Sequence, residues 1–281
     1  MSDLKARPSR WSLLFLFLST LSTRLRKVLW RWWYDQLARR DRHNELVFMN
    51  YGYCDGVREP VLSPEEEKYR YPIQLYRHVV QGLELEDKKV VEVGSGRGGG
   101  AAYLARHYRP KQYTGVDLSA RAIEWCRENH RQQCLQWRQG SAEKLPLEDA
   151  AYDLVVNVES SHCYPSMPAF LREVYRVLKP GGWFAFCDLR SPKEMTALQH
   201  QFVEAGFEIV RMQQINREVV AALDKVSAQR AQRIHSQVQK AFRKLFRDFA
   251  AVKGTRLYEM LKQGRLVYYS FQCRKPLTHS G

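Results

Sequence analysis

The stretch VVEVGSGRGGG, residues 90–100, joins an apolar strand to a run of glycines. Gly94, Gly96 and Gly98 follow the strand directly, and the helical pattern GGAAYLARHY (99–108) begins just behind them. A strand, a glycine turn and a helix in this order open the nucleotide-binding half of many α/β proteins, because glycine lets the backbone turn tightly and approach a ligand closely. The G-x-G-x-G spacing alone is shared by nicotinamide, flavin and methyl-donor proteins, so the residues around it must decide between them.

Strand and helix patterns alternate after this stretch. Six further apolar segments read as strands, namely QYTGVDLS (112–119), LQWRQ (135–139), AYDLVVNVES (151–160), WFAFCDLR (183–190), EIVRMQQIN (208–216) and RLVYYSFQC (265–273). The alternation predicts an α/β fold with a mostly parallel sheet that helices cover on both faces. Ligands of such sheets bind beyond the carboxyl ends of the strands, so site residues are expected where the strands end.

The formal net charge of +15 is concentrated in two segments of the 281-residue chain. Residues 1–45 hold ten basic and four acidic residues, and residues 216–262 hold eleven and four. A basic chain fits nucleic acid or an anionic membrane surface, and equally a solvated helix face. The six cysteines form no C-x-x-C pair and no metal-ligand spacing, which predicts free thiols, a reducing compartment such as the cytoplasm and no metal site.

The N-terminal stretch WSLLFLFLSTLSTRLRKVLWRWW (11–33) is apolar and basic. Its unbroken apolar run, residues 13–18, is too short to span a bilayer, and no small-residue cleavage site follows it. Leu21, Leu25 and Trp32 recur at helical spacing. We therefore predict an amphipathic basic helix that either packs on the domain as a lid or rests peripherally on a membrane surface.

Acidic and polar residues around the glycines favour S-adenosylmethionine as the cofactor. Glu92, two residues before the first glycine, would repel a pyrophosphate but suits a ligand that carries an ammonium group. Asp117, at the end of the next strand, is placed to accept two ribose hydroxyls, and GSAEKLP (140–146) follows the third strand, where an adenine can lie. A close neutral backbone, a ribose acceptor and an adenine slot without a phosphate clamp are what this methyl donor needs.

Five motifs together resemble the class I S-adenosylmethionine-dependent methyltransferases. They occur in the family's order over about residues 70–212 and read VVEVGSGRGG, GVDLS, GSAEKLP, AYDLVVNVES and LKPGGWFAFCD. Further stretches are similar to the phthiotriol/phenolphthiotriol dimycocerosate methyltransferases, which O-methylate a long-chain lipid alcohol. These stretches are NELVFMNYGY, VESSHCYPSMPAFLREVYRVLKPGGWFAFCDLR and GTRLYEMLKQGRLVYYSF.

The resemblance implies a Rossmann-like sheet of seven strands whose last strand is antiparallel. Relatives often have Asp where Ser141 stands, which leaves an adenine hydrogen bond at that position open. With the residues argued above, the expected cofactor-binding set is Glu92, Gly94, Ser95, Gly96, Gly98, Asp117, Leu118, Ala142, Glu143 and Asn157.

The fourth strand ends in NVESSHCYP (157–165), where polar side chains replace apolar ones. Methyl transfer to a hydroxyl needs a base, and the ordinary pKa of a histidine suits that task, so we predict His162 as the general base. Glu159 either orients the imidazole or faces the cation of the cofactor; the sequence leaves both open. Tyr164, Tyr51 and Tyr53 are expected to line the substrate pocket.

The expected organisation is a helical cap (1–60), a cofactor-binding core (61–215), a helical cap insertion (216–262) and the last core strand with its tail (263–281). The expected function is O-methylation of a hydroxyl on a hydrophobic small molecule, such as a lipid or a polyketide-like natural product. A C-methyltransferase on a lipid, polyketide or isoprenoid stays open. An RNA methyltransferase is disfavoured, and no nucleic-acid partner is expected, because the chain shows no RNA-binding module and no N-P-P-Y motif. A non-catalytic membrane-surface protein is disfavoured by the intact glycine turn.

Overall fold

The computed structural model describes residues 47–57, 59–238, 240 and 243–277. Seven strands form one sheet, and their bounds are β1 Lys89–Val93, β2 Gln112–Asp117, β3 Leu135–Gln139, β4 Tyr152–Val158, β5 Leu178–Arg190, β6 Glu208–Gln214 and β7 Val267–Arg274. The strand order is β3-β2-β1-β4-β5-β7-β6. Neighbours from β3 to β5 pair in parallel, whereas β7 pairs antiparallel with both β5 and β6. The predicted seven-stranded sheet with an antiparallel last strand is confirmed.

Helices cover both faces of this sheet. Their bounds are α1 Pro64–Glu67, α2 Arg70–Val79, α3 Gly99–Tyr108, α4 Ala120–Asn129, α5 Met167–Val177, α6 Pro192–Glu204, α7 Asn216–Gln237, α8 Arg243–Phe249 and α9 Arg256–Lys262. Successive side chains of β1 enter different apolar clusters, as a strand's two-residue period requires. Val90 packs in one cluster with α2, α3, α7 and α9, and Val91 packs in the other with α5 and α6.

Within the described residues of the segment between β6 and β7, the chain forms the helices α7, α8 and α9 rather than one continuous helix. The apolar spacing over residues 218–262 continues through Val238, but Val238 is extended (φ −106°, ψ 132°) and ends α7. Ala251 takes a left-handed φ of 46° beyond α8. Because β6 runs parallel to β5, this insertion leaves the sheet at the edge where the parallel strands end.

The predicted N-terminal helix of residues 11–33 lies outside the described residues. Among the helices that the structure describes, none combines the length and the apolar character needed to cross a bilayer.

Candidate active site

The glycine turn between β1 and α3 is held in shape by Asp117. Gly94, Gly96 and Gly98 take left-handed φ values of 76°, 53° and 70°, which residues with a Cβ adopt only at a cost. Asp117 Oδ2 accepts the N–H of Gly96 at 2.8 Å, and its Oδ1 accepts the N–H of Ser119 at 2.8 Å. The carboxylate that we predicted to bind a ribose therefore also fixes the turn.

A cavity, called the first cavity below, opens above this turn. Seven of the predicted cofactor residues line it: Gly94, Ser95, Gly96, Asp117, Leu118, Ala142 and Glu143. Its far wall contains Phe48, Met49 and Asn50. A Cβ on Gly94 would lie 2.7 Å from Tyr164 Oη, and one on Gly96 would lie 2.9 Å from Met49 Cε. Glycine provides the left-handed φ at both positions, and at Gly94 it also leaves the space that Ser160 and Tyr164 occupy.

Glu92 does not line the first cavity. It is fully buried, with Oε1 accepting the hydroxyl of Tyr76 at 2.6 Å and Oε2 accepting that of Tyr113 at 3.0 Å. Both tyrosines belong to the apolar cluster of Val90, and side chains two apart on a strand share a face. Burial raises the pKa of Glu92 to about 7, although the two hydroxyls oppose the shift. Our expectation that this carboxylate faces an ammonium group is not met by this geometry.

Two further predicted cofactor residues lie behind the wall of the first cavity. Asn157 is fully buried, and its Nδ2 lies 2.8 Å from Ser160 Oγ and 3.0 Å from Tyr164 Oη. Gly98 precedes α3 and leaves room for the ring of Trp137. Both residues shape the wall rather than form its surface.

Residues 47–57, called the cap segment below, cross the carboxyl edge of the sheet and contact the insertion. The hydroxyl of Tyr51 donates to the carbonyl of Phe249 at 2.9 Å. The guanidinium of Arg230, on α7, donates to the carbonyls of Asn50 at 3.3 Å and Tyr51 at 3.4 Å. The cap segment and the insertion thus cover one edge of the sheet together.

Tyr53 takes a different position from Tyr51. Its ring stacks on His78 with centroids 4.3 Å apart, and its N–H donates to the carbonyl of Tyr71 at 3.0 Å. It lines neither of the two cavities described here.

A second cavity adjoins the first, and Tyr164 and Pro165 line both. Its polar wall includes Tyr51, His162, Arg190 and Gln201. Its apolar wall includes Met167, Pro168, Leu198, Phe249, Leu257 and Leu266. The insertion supplies part of the apolar wall, and the end of β4 supplies the residues between the two cavities.

His162 lies in a short 3₁₀ turn after β4, and its partner is Asp188 on the neighbouring strand β5. His162 Nδ1 is 2.7 Å from Asp188 Oδ1, and the N–H of His162 donates to Oδ2 at 2.9 Å. Asp188 is fully buried and also accepts the hydroxyl of Ser161 at 2.6 Å, while Arg190 Nη1 lies 3.2 Å from Oδ2. The carboxylate that fixes the imidazole is therefore Asp188 and not Glu159.

Glu159 instead joins the cap segment to the sheet. It takes a left-handed φ of 47°, which is uncommon for a residue with a Cβ. Its Oε1 accepts the N–H of Tyr51 at 2.7 Å and the hydroxyl of Tyr268 at 2.6 Å, and the residue lines the first cavity. Glu159 thus borders the first cavity, while Asp188 holds the imidazole of His162.

The chain matches proteins that transfer methyl groups. Residues 91–186 match the family model of the methyltransferase domain. The chain is 38% identical over 248 residues to the phthiotriol/phenolphthiotriol dimycocerosates methyltransferase of Mycobacterium tuberculosis, with 88% of this chain and 92% of that one covered. The chain belongs to the class I S-adenosylmethionine-dependent methyltransferases.

A second sequence relative and one solved structure also resemble this methyltransferase. It is 38% identical over 246 residues to a fatty-acid O-methyltransferase of Mycolicibacterium smegmatis, with 86% of this chain and 88% of that one covered. The solved geranyl diphosphate C-methyltransferase of Streptomyces coelicolor A3(2) has a TM-score of 0.64 at 17% identity, covering 89% of this chain and 97% of that one. The second likeness concerns the fold alone.

The first cavity of the methyltransferase has the polar atoms that S-adenosylmethionine requires. Ser95 Oγ and Asn50 Oδ1 are buried, and within the described part of the chain neither has a hydrogen-bond partner. Both residues line the first cavity. An ammonium group and hydroxyls on a ligand can satisfy such atoms, whose burial without partners is otherwise costly. The cofactor supplies a methyl group already activated on a sulfonium.

The electrostatics of the His162–Asp188 pair favour a bound proton. Burial lowers the pKa of His162, but Cys163 and the Asp188 carboxylate outweigh it, so this pKa stands well above its ordinary value. For Asp188, burial has the opposite effect and by itself raises the pKa. Arg190 and His162 outweigh it, so the pKa of Asp188 falls well below its usual range. The pair therefore holds one proton, on the imidazole, to higher pH than an isolated histidine would.

Three residues that complete the site were not predicted. Asp188 follows the apolar residues of WFAFCDLR at the carboxyl end of a strand. The expectation that site residues stand where strands end, which pointed to Asp117, therefore applies to Asp188 as well. Tyr268 and Arg230 carried no local signal, because an antiparallel strand and an inserted helix bring them to the site.

Proposed function

We propose that this methyltransferase transfers the methyl group to a hydroxyl oxygen of a lipid-like acceptor. The names of the two curated relatives support a lipid-like substrate, and one of them names oxygen as the acceptor atom. The apolar wall of the second cavity, with Met167, Leu198 and Phe249, suits a long aliphatic or isoprenoid chain.

The observation that carries this proposal is the His162–Asp188 pair in the wall of the second cavity. A hydroxyl attacks a sulfonium carbon poorly until its proton leaves, so a base beside the acceptor accelerates the step. Asp188 fixes the ring through Nδ1 at 2.7 Å, which supports Nε2 as the nitrogen that would take the proton. Tyr164, in the wall shared by both cavities, marks where donor and acceptor would meet.

Further roles follow for the other predicted residues. The turn at Gly94–Gly96, with Ser95, would hold the methionine part of the cofactor, and Asp117 and Leu118 would hold the ribose. Ala142 and Glu143 would line the adenine. Tyr51 and Tyr164 would contact the acceptor.

We also propose that residues 1–60 and 216–262 form one cap over the site, with the basic N-terminal stretch resting peripherally on an anionic membrane. Support comes from the contacts of the cap segment with Phe249 and Arg230, and from the basic residues of residues 1–45. Each basic residue near an anionic surface adds about 1 kcal/mol. Co-sedimentation with anionic vesicles at low salt tests this, and no binding there would leave the stretch as a lid only.

The acceptor is tested with labelled S-adenosylmethionine and four long-chain compounds of one length: an alcohol, its methyl ether, a fatty acid and a prenyl alcohol. We expect label in the methyl ether formed from an alcohol and none with the preformed ether. If only the fatty acid is labelled, the acceptor is a carboxylate. A carboxylate is already ionised and needs no base, so this result would overturn the hydroxyl assignment. Label on carbon in the prenyl compound would establish C-methylation instead.

A further inference from the structure

Glu159 stands between the first cavity and the cap segment. Glu159 lines the cavity, and its carboxylate oxygen Oε1 accepts the N–H of Tyr51 at 2.7 Å. The hydroxyl of Tyr268, on β7, donates to that oxygen at 2.6 Å. One oxygen atom is thus in contact with both the cap segment and the sheet, and it belongs to a residue that lines the first cavity.

The backbone of Tyr51 is held by opposite charges from its two sides. The carboxylate of Glu159 accepts its N–H, and the guanidinium of Arg230 donates to its carbonyl at 3.4 Å. Hydrogen bonds to charged groups are stronger than neutral ones, so the seating of the cap segment depends on the charge of Glu159. Burial raises the pKa of Glu159 to about 7, with Tyr268 and Tyr51 opposing the shift, so both charge states are accessible near neutral pH.

The cofactor changes charge in the reaction. S-adenosylmethionine carries a sulfonium cation, and the S-adenosylhomocysteine left after methyl transfer carries a neutral thioether at the same atom. A cation in the first cavity stabilises an ionised Glu159, and the neutral product removes that stabilisation.

We propose that Glu159 is a positioning residue that senses the charge of the methyl donor and couples it to the cap segment. With S-adenosylmethionine bound, Glu159 is ionised and holds Tyr51 in place. After transfer, the carboxylate loses its counter-cation, the hold on Tyr51 weakens, and the cap segment releases the product. The strained φ of 47° at Glu159 fits a residue whose position the fold fixes for function.

Three cofactor forms test this without any acceptor, so the result does not depend on the proposed substrate. We would measure calorimetrically the affinities for S-adenosylmethionine, S-adenosylhomocysteine and sinefungin, whose amine carries a positive charge at the sulfonium's place. In Glu159→Gln we expect both cationic ligands to bind about 10- to 100-fold more weakly, and S-adenosylhomocysteine to bind within about threefold of wild type. Equal losses for all three ligands, or no loss for any, would overturn the proposal.

Tyr268→Phe is the matched control, because it removes one hydrogen bond from the same oxygen and keeps the charge. We expect its preference for cationic ligands to stay within about threefold of wild type. If Tyr268→Phe abolishes that preference as Glu159→Gln does, geometry and not charge is responsible. If Glu159→Gln fails to fold, the comparison of the two ligands on the wild type by hydrogen exchange still decides the proposal.

Hydrogen exchange of a peptide covering the cap segment gives the second readout. At saturation, S-adenosylmethionine should slow amide exchange around Tyr51 more than S-adenosylhomocysteine does, and Glu159→Gln should remove the difference. Identical protection by both ligands in the wild type would contradict the coupling to the cap segment.

Discussion

His162, in the turn after β4, and Asp188, on the neighbouring parallel strand β5, meet with Nδ1 and Oδ1 2.7 Å apart. The register pairs Val158 at the end of β4 with Cys187 on β5, so the residues just beyond these two positions lie side by side at the carboxyl edge. A buried carboxylate in this position keeps the imidazole in one orientation, and His162 lines the second cavity.

Removal of the imidazole tests its role as the base. We expect His162→Gln to bind S-adenosylhomocysteine as tightly as wild type but to lose about 10²- to 10⁴-fold in methyl transfer to a hydroxyl, the usual contribution of a general base. His200→Gln, an exposed histidine on α6, is the matched control and should keep full activity. Near-normal turnover by His162→Gln would assign the base elsewhere.

The pH dependence of the wild type follows from the raised pKa of His162. A base works only when unprotonated, so activity should rise as pH passes through that pKa and reach its plateau on the alkaline side, well above pH 6.5. In Asp188→Asn the carboxylate no longer favours the charged imidazole. The midpoint of the pH–rate profile should then move to lower pH, with a lower plateau because the ring is less well oriented. An unchanged midpoint would contradict the coupling of the two residues.

The glycine turn is tested by adding a single methyl group. Gly94→Ala should weaken S-adenosylhomocysteine binding by more than about tenfold, because the new Cβ meets Ser160 and Tyr164 and the φ of 76° is strained. Gly82→Ala is the control, since Gly82 has a φ of 81° with nothing within 4 Å of the added carbon. It should cost about 1 kcal/mol of stability and leave binding intact.

Asp117 is expected to contribute to cofactor affinity in two ways. Asp117→Ala removes the predicted ribose acceptor and the support for the N–H groups of Gly96 and Ser119, and should cost about 1.5–3 kcal/mol of binding free energy. Asp117→Asn keeps one acceptor oxygen and should lose less. Titration calorimetry with S-adenosylhomocysteine measures both, and unaltered affinity in Asp117→Ala would exclude the ribose role.

The sequence was sufficient for features that depend on local pattern. Alternating strands and helices predicted the sheet, and the end of β2 predicted where Asp117 stands. The expectation for Glu92 used its distance from Gly94 along the chain and not the two-residue period of β1, which turns its side chain toward Tyr76.

Other features depend on contacts between distant parts of the chain. The N–H of Tyr51 reaches Glu159, 108 residues away, and the hydroxyl of Tyr268 reaches the same residue from 109 residues away. Such contacts follow from the order of strands in the sheet and from how the insertion folds back. Neither can be read from spacing or residue type, so Tyr268 and Arg230 were missed.

Asn216 stands at the start of the insertion and binds its far end. Its Nδ2 donates to the carbonyls of Leu261 and Leu266 at 2.9 and 2.8 Å, and its Oδ1 accepts the N–H of Tyr268 at 2.8 Å. The hydrogen bonds of Asn216 therefore hold together the two ends of the insertion, where the chain leaves β6 and where it enters β7. An evolving lineage can lengthen, shorten or replace the helices between those two ends without disturbing strand pairing or the glycine turn. The same scaffold can in this way acquire new acceptors while the glycine turn and Asp117 stay in place.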